Sequence, residues 1–126
     1  MKKFFYVIAA AALAIGLCSC NKEIENPTEG NFVGTWDLVN TETIIGKNSV
    51  STAPDKEEYL VITKETITSF YDGSKSWEGT FKYENDKIYV NGTSKYTVVS
   101  ISGKEMVLSY PGLLLVDEYR EHYKKR

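Results

Sequence analysis

Ser76-Trp77-Glu78-Gly79-Thr80-Phe81-Lys82-Tyr83 is the stretch whose reading decides the fold. Trp77, Gly79, Phe81 and Tyr83 alternate with Ser76, Glu78, Thr80 and Lys82, which is the period of a strand with one dry and one wet face. Asn85-Asp86 carries a turn signal, and Lys87-Ile88-Tyr89-Val90 returns with Ile88 and Val90 on one side, so the pair predicts a β-hairpin. Fully burying Trp77, Phe81 and Tyr83 is worth roughly 1.5–3 kcal/mol each, enough to make the inner face of this hairpin the centre of a core.

Strand-like runs recur on both sides of the hairpin. They cover Gly34–Asn40, Glu58–Thr63, Thr66–Tyr71, Ser76–Tyr83, Lys87–Asn91, Lys95–Ile101 and Lys104–Tyr110. Turn residues stand between them at Lys64-Glu65, Asp72-Gly73, Asn85-Asp86, Asn91-Gly92, Ser102-Gly103 and Pro111-Gly112. Asn91-Gly92-Thr93 also matches a glycosylation acceptor, but its place between two strands reads as a type I′ turn. The segment from Ile44 to Lys56, with Gly46, Asn48, Ser49, Ser51, Thr52 and Pro54, reads as the longest irregular loop, either a lid or a plain mobile connection. Asp55, Glu57 and Glu58 at its end read as solvated, since Lys56 interrupts them and no histidine is near.

The last segment, Leu114 to Tyr123, fits two periods. As a strand it puts Leu115, Tyr119 and Tyr123 on one side; as a helix it puts Val116, Tyr119 and Tyr123 on one stripe and pairs Glu121 with Lys125. Closure favours the strand, because it brings the count to about eight, and eight antiparallel strands can curl into a barrel with no exposed edge. The expected fold is therefore all-β: a small eight-stranded antiparallel up-and-down β-barrel.

The N-terminus has a different character. Lys2 and Lys3 precede an uncharged apolar run, Phe4–Leu17, that as a helix would be about 21 Å long against a hydrocarbon thickness of about 30 Å. A basic start followed by a short apolar run describes an export signal. Leu17-Cys18-Ser19-Cys20 resembles the lipobox of bacterial lipoproteins, in which a small residue precedes the cysteine that receives lipid. Cys20 fits that role with Ser19 before it, whereas Cys18 would have Leu17 at the cleavage position. A Cys18–Cys20 disulfide or metal pair is the weaker reading, since so short a spacing strains the bond and no second ligand pair follows. The expected organisation is a signal peptide over 1–19, lipidated Cys20 and a flexible linker over 20–31, and a barrel domain over 32–126.

Lipidation implies a membrane partner through Cys20. By resemblance, Asn21 in place of Asp favours sorting to the outer membrane, and Lys22-Glu23-Ile24-Glu25 looks like a charged signal for the cell surface. Both the periplasmic face and the cell surface stay open.

Gly34-Thr35-Trp36, placed directly after the linker and before the series of strands, is similar to the Gly-X-Trp signature of lipocalins, particularly short lipocalin-like lipoproteins of the calycin family. The resemblance implies that Trp36 sits at the closed end of the barrel, with Gly34 at the head of its strand. It further implies a large loop at the open end between the first two strands, and an arginine late in the barrel packed over the tryptophan, for which Arg120 is the candidate.

Chemistry is sparse. The chain is 126 residues with a formal net charge of −2, and loss of Lys2 and Lys3 with the signal makes the rest more acidic, giving no reason to expect nucleic acid. His122, the single histidine, lies in a charged run with no nominated nucleophile or orienting partner. No phosphate loop, metal spacing, cofactor motif or G-x-S-x-G appears, so catalysis is not expected.

What remains is an aromatic content of 13%. The plainest account is that large side chains fill a small barrel. A sharper one has Phe70, Trp77, Phe81, Tyr83, Tyr96, Met106 and Tyr110 lining an open cup for a small hydrophobic or aromatic molecule. A third makes outward residues such as Tyr59 and Tyr89 a patch for glycan or protein. The leading expectation is a lipid-anchored, lipocalin-like binding protein; the alternative is an interaction module, an accessory subunit of an outer-membrane complex or an inhibitor of an exported enzyme.

Overall fold

The computed structural model describes residues 22–126. The signal segment, Cys18, Cys20 and Asn21 lie outside the described residues, and with them the expected cleavage and lipidation. A short helix, α1 (Glu29–Phe32), precedes β1 (Gly34–Ile45), β2 (Asn48–Thr52), β3 (Glu58–Ile62), β4 (Thr66–Tyr71), β5 (Ser74–Glu84), β6 (Lys87–Val90), β7 (Thr93–Ile101), β8 (Glu105–Pro111) and β9 (Glu118–Lys125).

All pairings are antiparallel, and the sheet order β1-β3-β4-β5-β6-β7-β8-β9 returns to β1, closing an eight-stranded barrel. Closure runs from Trp36 opposite Lys125 to Ile44 opposite Glu118. The expected strand at the C-terminus is thus the one that seals the barrel, though it begins at Glu118 rather than near Leu114. Leu114, with φ +58°, turns the chain ahead of it, and Leu115 stands in solvent instead of on the inner face.

The hairpin turns follow from their residues. Asp72-Gly73, Asn85-Asp86 and Asn91-Gly92 each place two successive residues at positive φ, the backbone of a type I′ turn, which matches the twist of the flanking strands.

The long segment after Thr43 is not the irregular loop its composition predicts. Ile44 and Ile45 continue β1, Gly46 turns at φ +60°, and Asn48–Thr52 returns along Thr41–Ile45 as β2. The edge of β1 is therefore shared: Gly34–Asp37 pairs with β3, and Thr41–Ile45 pairs with β2. β2 is exposed throughout, so no alternation in burial marks it in the sequence.

Alternation does place the core. Trp36, Leu38, Leu60, Ile62, Ile67, Phe81, Ile88, Tyr96, Val98, Ile101, Met106, Leu108 and Tyr123 are buried inside the barrel, and Trp77, Tyr83, Val90 and Tyr110 pack against them. The hairpin of β5 and β6 contributes as expected, with Phe81 opposite Val90 and Tyr83 opposite Ile88.

One end of the barrel is closed. Phe32 of α1 is fully buried, its ring 4.7 Å from that of Tyr83 and 6.0 Å from that of Phe81. The Trp36 indole N–H donates to the Phe32 carbonyl at 2.8 Å. β4 starts at Thr66, opposite Thr80, so β5 runs on past the end of its neighbour; there the Tyr83 N–H donates to the Glu29 carboxylate at 3.2 Å. Before the helix, the Ile24 N–H donates to the Ile101 carbonyl at 2.7 Å, and the Ile24 side chain packs against the core. Within the stretch read as linker, Ile24 and Glu29–Asn31 are thus parts of the closed end, together with Phe32 at the head of the barrel domain.

The cation over Trp36 is Lys125, not Arg120. The Lys125 Nζ lies 5.4 Å from the Trp36 ring centre. Arg120 is opposite Glu42, on the outer face of β9, and its Nε donates to Glu118 at 2.8 Å. The register decides this: antiparallel pairing with β1 sets residue 125, five positions further on, beside Trp36. Gly34 makes the arrangement possible. Its φ is +145°, and a Cβ there would stand 2.6 Å from Lys125 Cε, in the path of the lysine stem.

Candidate functional site

The opposite end is open and holds a cavity of about 240 Å³. Glu58 opens β3, Ser69 and Trp77 face each other across β4 and β5, Tyr96 and Lys95 come from β7, Tyr110 from β8, and Glu121 and Tyr123 from β9. The space is smaller than the roughly 300–1,000 Å³ of drug-sized sites.

Two of these placements depend on the backbone. Lys95 and Tyr96 are adjacent, and adjacent strand residues ordinarily face opposite sides. Between β6 and β7 the register slips: Tyr89 is opposite Ser94 while Ile88 is opposite Tyr96, leaving Lys95 as the extra residue of a β-bulge. Both side chains therefore reach the cup. The Lys95 Nζ lies 4.7 Å from the Trp77 ring centre and 5.5 Å from that of Tyr96. Trp77 needs no such device, since it keeps the inward phase of Gly79, Phe81 and Tyr83 along β5; a second slip, with Ser69 opposite Trp77 but Phe70 opposite Lys75, falls just beyond it.

Glu121 is the most heavily bonded group in the cup. The Tyr123 hydroxyl donates to its Oε1 at 2.6 Å and the Tyr110 hydroxyl donates to its Oε2 at 3.0 Å. Burial pushes the hydroxyls of Tyr96, Tyr110 and Tyr123 above the ordinary tyrosine range, and the negative charge of Glu121 pushes them further, so all three are neutral donors. Tyr110 also stacks at 5.3 Å on Tyr119, the next inward ring of β9, and meets Tyr96 edge-on at 5.9 Å.

Glu58 differs. Among the described residues no hydrogen bond or ion pair reaches its carboxylate, and desolvation raises its pKa, aided by repulsion from Glu121 and then Asp55. The sequence reading took Glu58, at the head of its strand, for a solvated acid, which the register corrects: Glu58 shares its face with Leu60 and Ile62, both buried. That same alternation was the signal that could have found it. Glu121 was likewise legible between Tyr119 and Tyr123 at strand spacing, whereas Lys95 was not, because a bulge leaves no mark in composition.

Of the residues expected to line a cup, Trp77, Tyr96 and Tyr110 do so. Phe81 and Tyr83 face inward but at the closed end, packed on Phe32, and Met106 is fully buried beside Tyr123. Phe70 is on the outer surface. It is opposite Tyr59, with the two rings stacked at 4.9 Å, and the Arg126 guanidinium lies 4.4 Å from the Tyr59 ring.

The outward aromatics do not join into one patch, since β4 and β5 separate Tyr59 on β3 from Tyr89 on β6. The exposed apolar residues are elsewhere. Leu113, Leu114 and Leu115 are 73%, 103% and 85% exposed in the β8–β9 connection. This connection is tied to the β1–β2 hairpin, the Asp117 N–H donating to the Ile44 carbonyl at 2.9 Å and the Gly46 N–H to the Asp117 carboxylate at 2.6 Å.

His122 is on the outer face, its Nε2 3.2 Å from Glu42 Oε1. That hydrogen bond is the first cause holding the Glu42 carboxyl below its ordinary range. Comparison of the chain with family models, curated proteins and solved structures gives no match.

Proposed function

We propose that this chain is a lipid-anchored, lipocalin-like binding protein of the outer membrane that holds a small molecule in the open end of its barrel and does not transform it. The observation that carries this reading is the cup itself, an open cavity of about 240 Å³ faced by Trp77, Tyr96 and Tyr110. Aromatic faces give a planar ligand a large contact area, and neutral hydroxyls orient it. The sequence favours a hydrophobic guest; the carboxylates and hydroxyls of the rim favour one that is aromatic but carries polar groups.

The lipocalin resemblance gains support from the Gly34, Trp36 and Lys125 arrangement at the closed end, with lysine in the place where the family has arginine. Anchorage through Cys20 also bears on orientation. The short span from Cys20 to Ile24, which pairs with Ile101 at the closed end, puts that end toward the membrane and the cup away from it.

The test is native mass spectrometry of the gently extracted protein, with a thermal-shift screen of small aromatic compounds. A retained mass, or a midpoint that rises with ligand concentration, supports binding. An empty protein that no compound stabilises overturns it.

The exposed run Leu113–Leu115 favours a second reading, docking on a protein partner through the rim of the barrel. A photo-crosslinker at Leu114 in intact cells decides it: capture of one protein, abolished by Leu113→Ser, supports docking, and no capture removes the reading.

A further inference from the structure

We infer that the cup takes a small organic cation, an aromatic or alkyl ammonium, its charge set between Glu58 and Glu121 and its body against Trp77 and the tyrosine rings. This rests on the binding reading above and adds the chemical class of the ligand.

The first argument is charge. Two carboxylates, Glu58 and Glu121, face the cavity, and among the described residues neither is in an ion pair. Glu121 is fixed by Tyr110 and Tyr123, but those donors are neutral, so they orient its charge without cancelling it. A carboxylate has about four acceptor positions, which leaves Glu121 able to accept from a further donor. Among the described residues nothing donates to Glu58, which leaves its acceptor positions free.

The second argument is independent of the acids. Lys95 already lays an ammonium over the rings of Trp77 and Tyr96, at 4.7 Å and 5.5 Å, and a β-bulge is what sends it there. The ring faces of the cup therefore accept a cation, through attraction to their negative quadrupoles. The lysine pairs with neither cup carboxylate, so the aromatic half of a cation site is occupied by the chain's own ammonium while the anionic half is free.

Competing ligand classes fit less well. A wholly apolar guest would strip water from Glu58 and Glu121 and return no hydrogen bond, which is costly. An anion meets two like charges against the single ammonium of Lys95, which already lies over the rings of Trp77 and Tyr96. A metal ion lacks ligands, since among the described residues no group of three or more histidine, cysteine, aspartate or glutamate side chains gathers. The cavity of about 240 Å³ holds one ring with a short ammonium arm.

The test is calorimetric titration of the full-length protein at low salt with three probes of one shape: phenethylammonium, 2-phenylethanol and phenylacetate. The cation is expected to bind at least about tenfold tighter than the alcohol, with no heat from the carboxylate. Glu58→Gln is expected to weaken the cation about fivefold without lowering the melting temperature, so that the loss is not one of folding. Lys95→Met is expected to tighten it by clearing the ring faces, and Glu121→Gln provides a second acid variant. If the alcohol or phenylacetate binds as tightly as the cation, or Glu58→Gln leaves the cation unaffected, the cationic class is overturned while the cup remains a binding site. If none of the three binds either the native protein or Lys95→Met, the binding reading falls with it.

Discussion

Phe32 belongs to no strand, yet its side chain is fully buried and closes the lower end of the barrel against Tyr83 at 4.7 Å and Phe81 at 6.0 Å. Replacing it with alanine removes that ring and leaves a cavity which the surrounding strands, locked by their ladders, can only partly fill. Phe→Ala at a fully buried site costs about 3–5 kcal/mol, including the loss of both aromatic contacts. A domain of this size has roughly 5–15 kcal/mol in hand, and each kcal/mol is worth about 4–8 °C of melting temperature. Phe32→Ala should therefore lower the midpoint by at least about 12 °C while leaving the Trp36-to-Phe32 carbonyl bond available, since only the side chain is lost. Urea titration followed by tryptophan fluorescence is the companion assay, with a lower midpoint expected at unchanged slope. A loss under about 4 °C would refute the reasoning, because it would mean that α1 rests on the barrel without plugging it.

Three further outcomes follow from the same packing. Phe81→Asp should prevent folding, since it buries an unpaired charge among Phe32, Tyr83 and Val90; a cooperative melt of that variant would contradict the assignment of the inner face. Gly34→Ala should cost about 1–3 kcal/mol through its backbone at φ +145° and its crowding of Lys125, and part of that cost should vanish in a Lys125→Ala background, a non-additivity read by denaturant melts. Glu58 has a folded pKa above its ordinary 4.5, so its protonated form favours the native state, and that contribution is present at low pH and lost as pH rises through the folded pKa. Glu58→Gln should accordingly raise the melting temperature at pH 7, with the difference disappearing below pH 4.5; equal gains at both pH values would exclude Glu58 ionisation as the cause.

How far the sequence carried depends on which physical signal each part leaves. Alternation is a local signal, so the inward row of Trp77, Gly79, Phe81 and Tyr83 and the paired turns at Asp72-Gly73, Asn85-Asp86 and Asn91-Gly92 were readable directly. β2 was not, because a strand exposed on both faces has no reason to alternate. Nor was the role of α1, since a helix of this length shows no periodicity and Glu29 and Phe32 act on partners far along the chain. The cation on Trp36 was sought at Arg120 and found at Lys125, because pairing register between distant strands is set by closure and not by spacing.

The cup shows the same division at a finer scale. A barrel of eight strands with unbroken alternation would send every second residue inward, and such small barrels are filled by their own side chains. Here the lower half is filled in that way, with Trp36, Leu60, Ile62, Ile67, Ile101 and Met106 all nearly or fully buried, although β7 slips against β8 there between Val98 and Ser100. The register slips between β4 and β5 and between β6 and β7 fall at the upper half, around Trp77 and Lys95. There the bulge brings a charged residue in beside an aromatic one, and the strands that should supply apolar side chains supply Glu58, Ser69 and Glu121. Polar groups cannot be packed dry without partners, so this half keeps a cavity where the other is solid. Filling it would take only ordinary substitutions, for example Glu58→Leu with Ser69→Val. Such a variant should be more stable and should lose its capacity for the ammonium probe; if instead it binds the probe unchanged, the cup is not where the ligand goes.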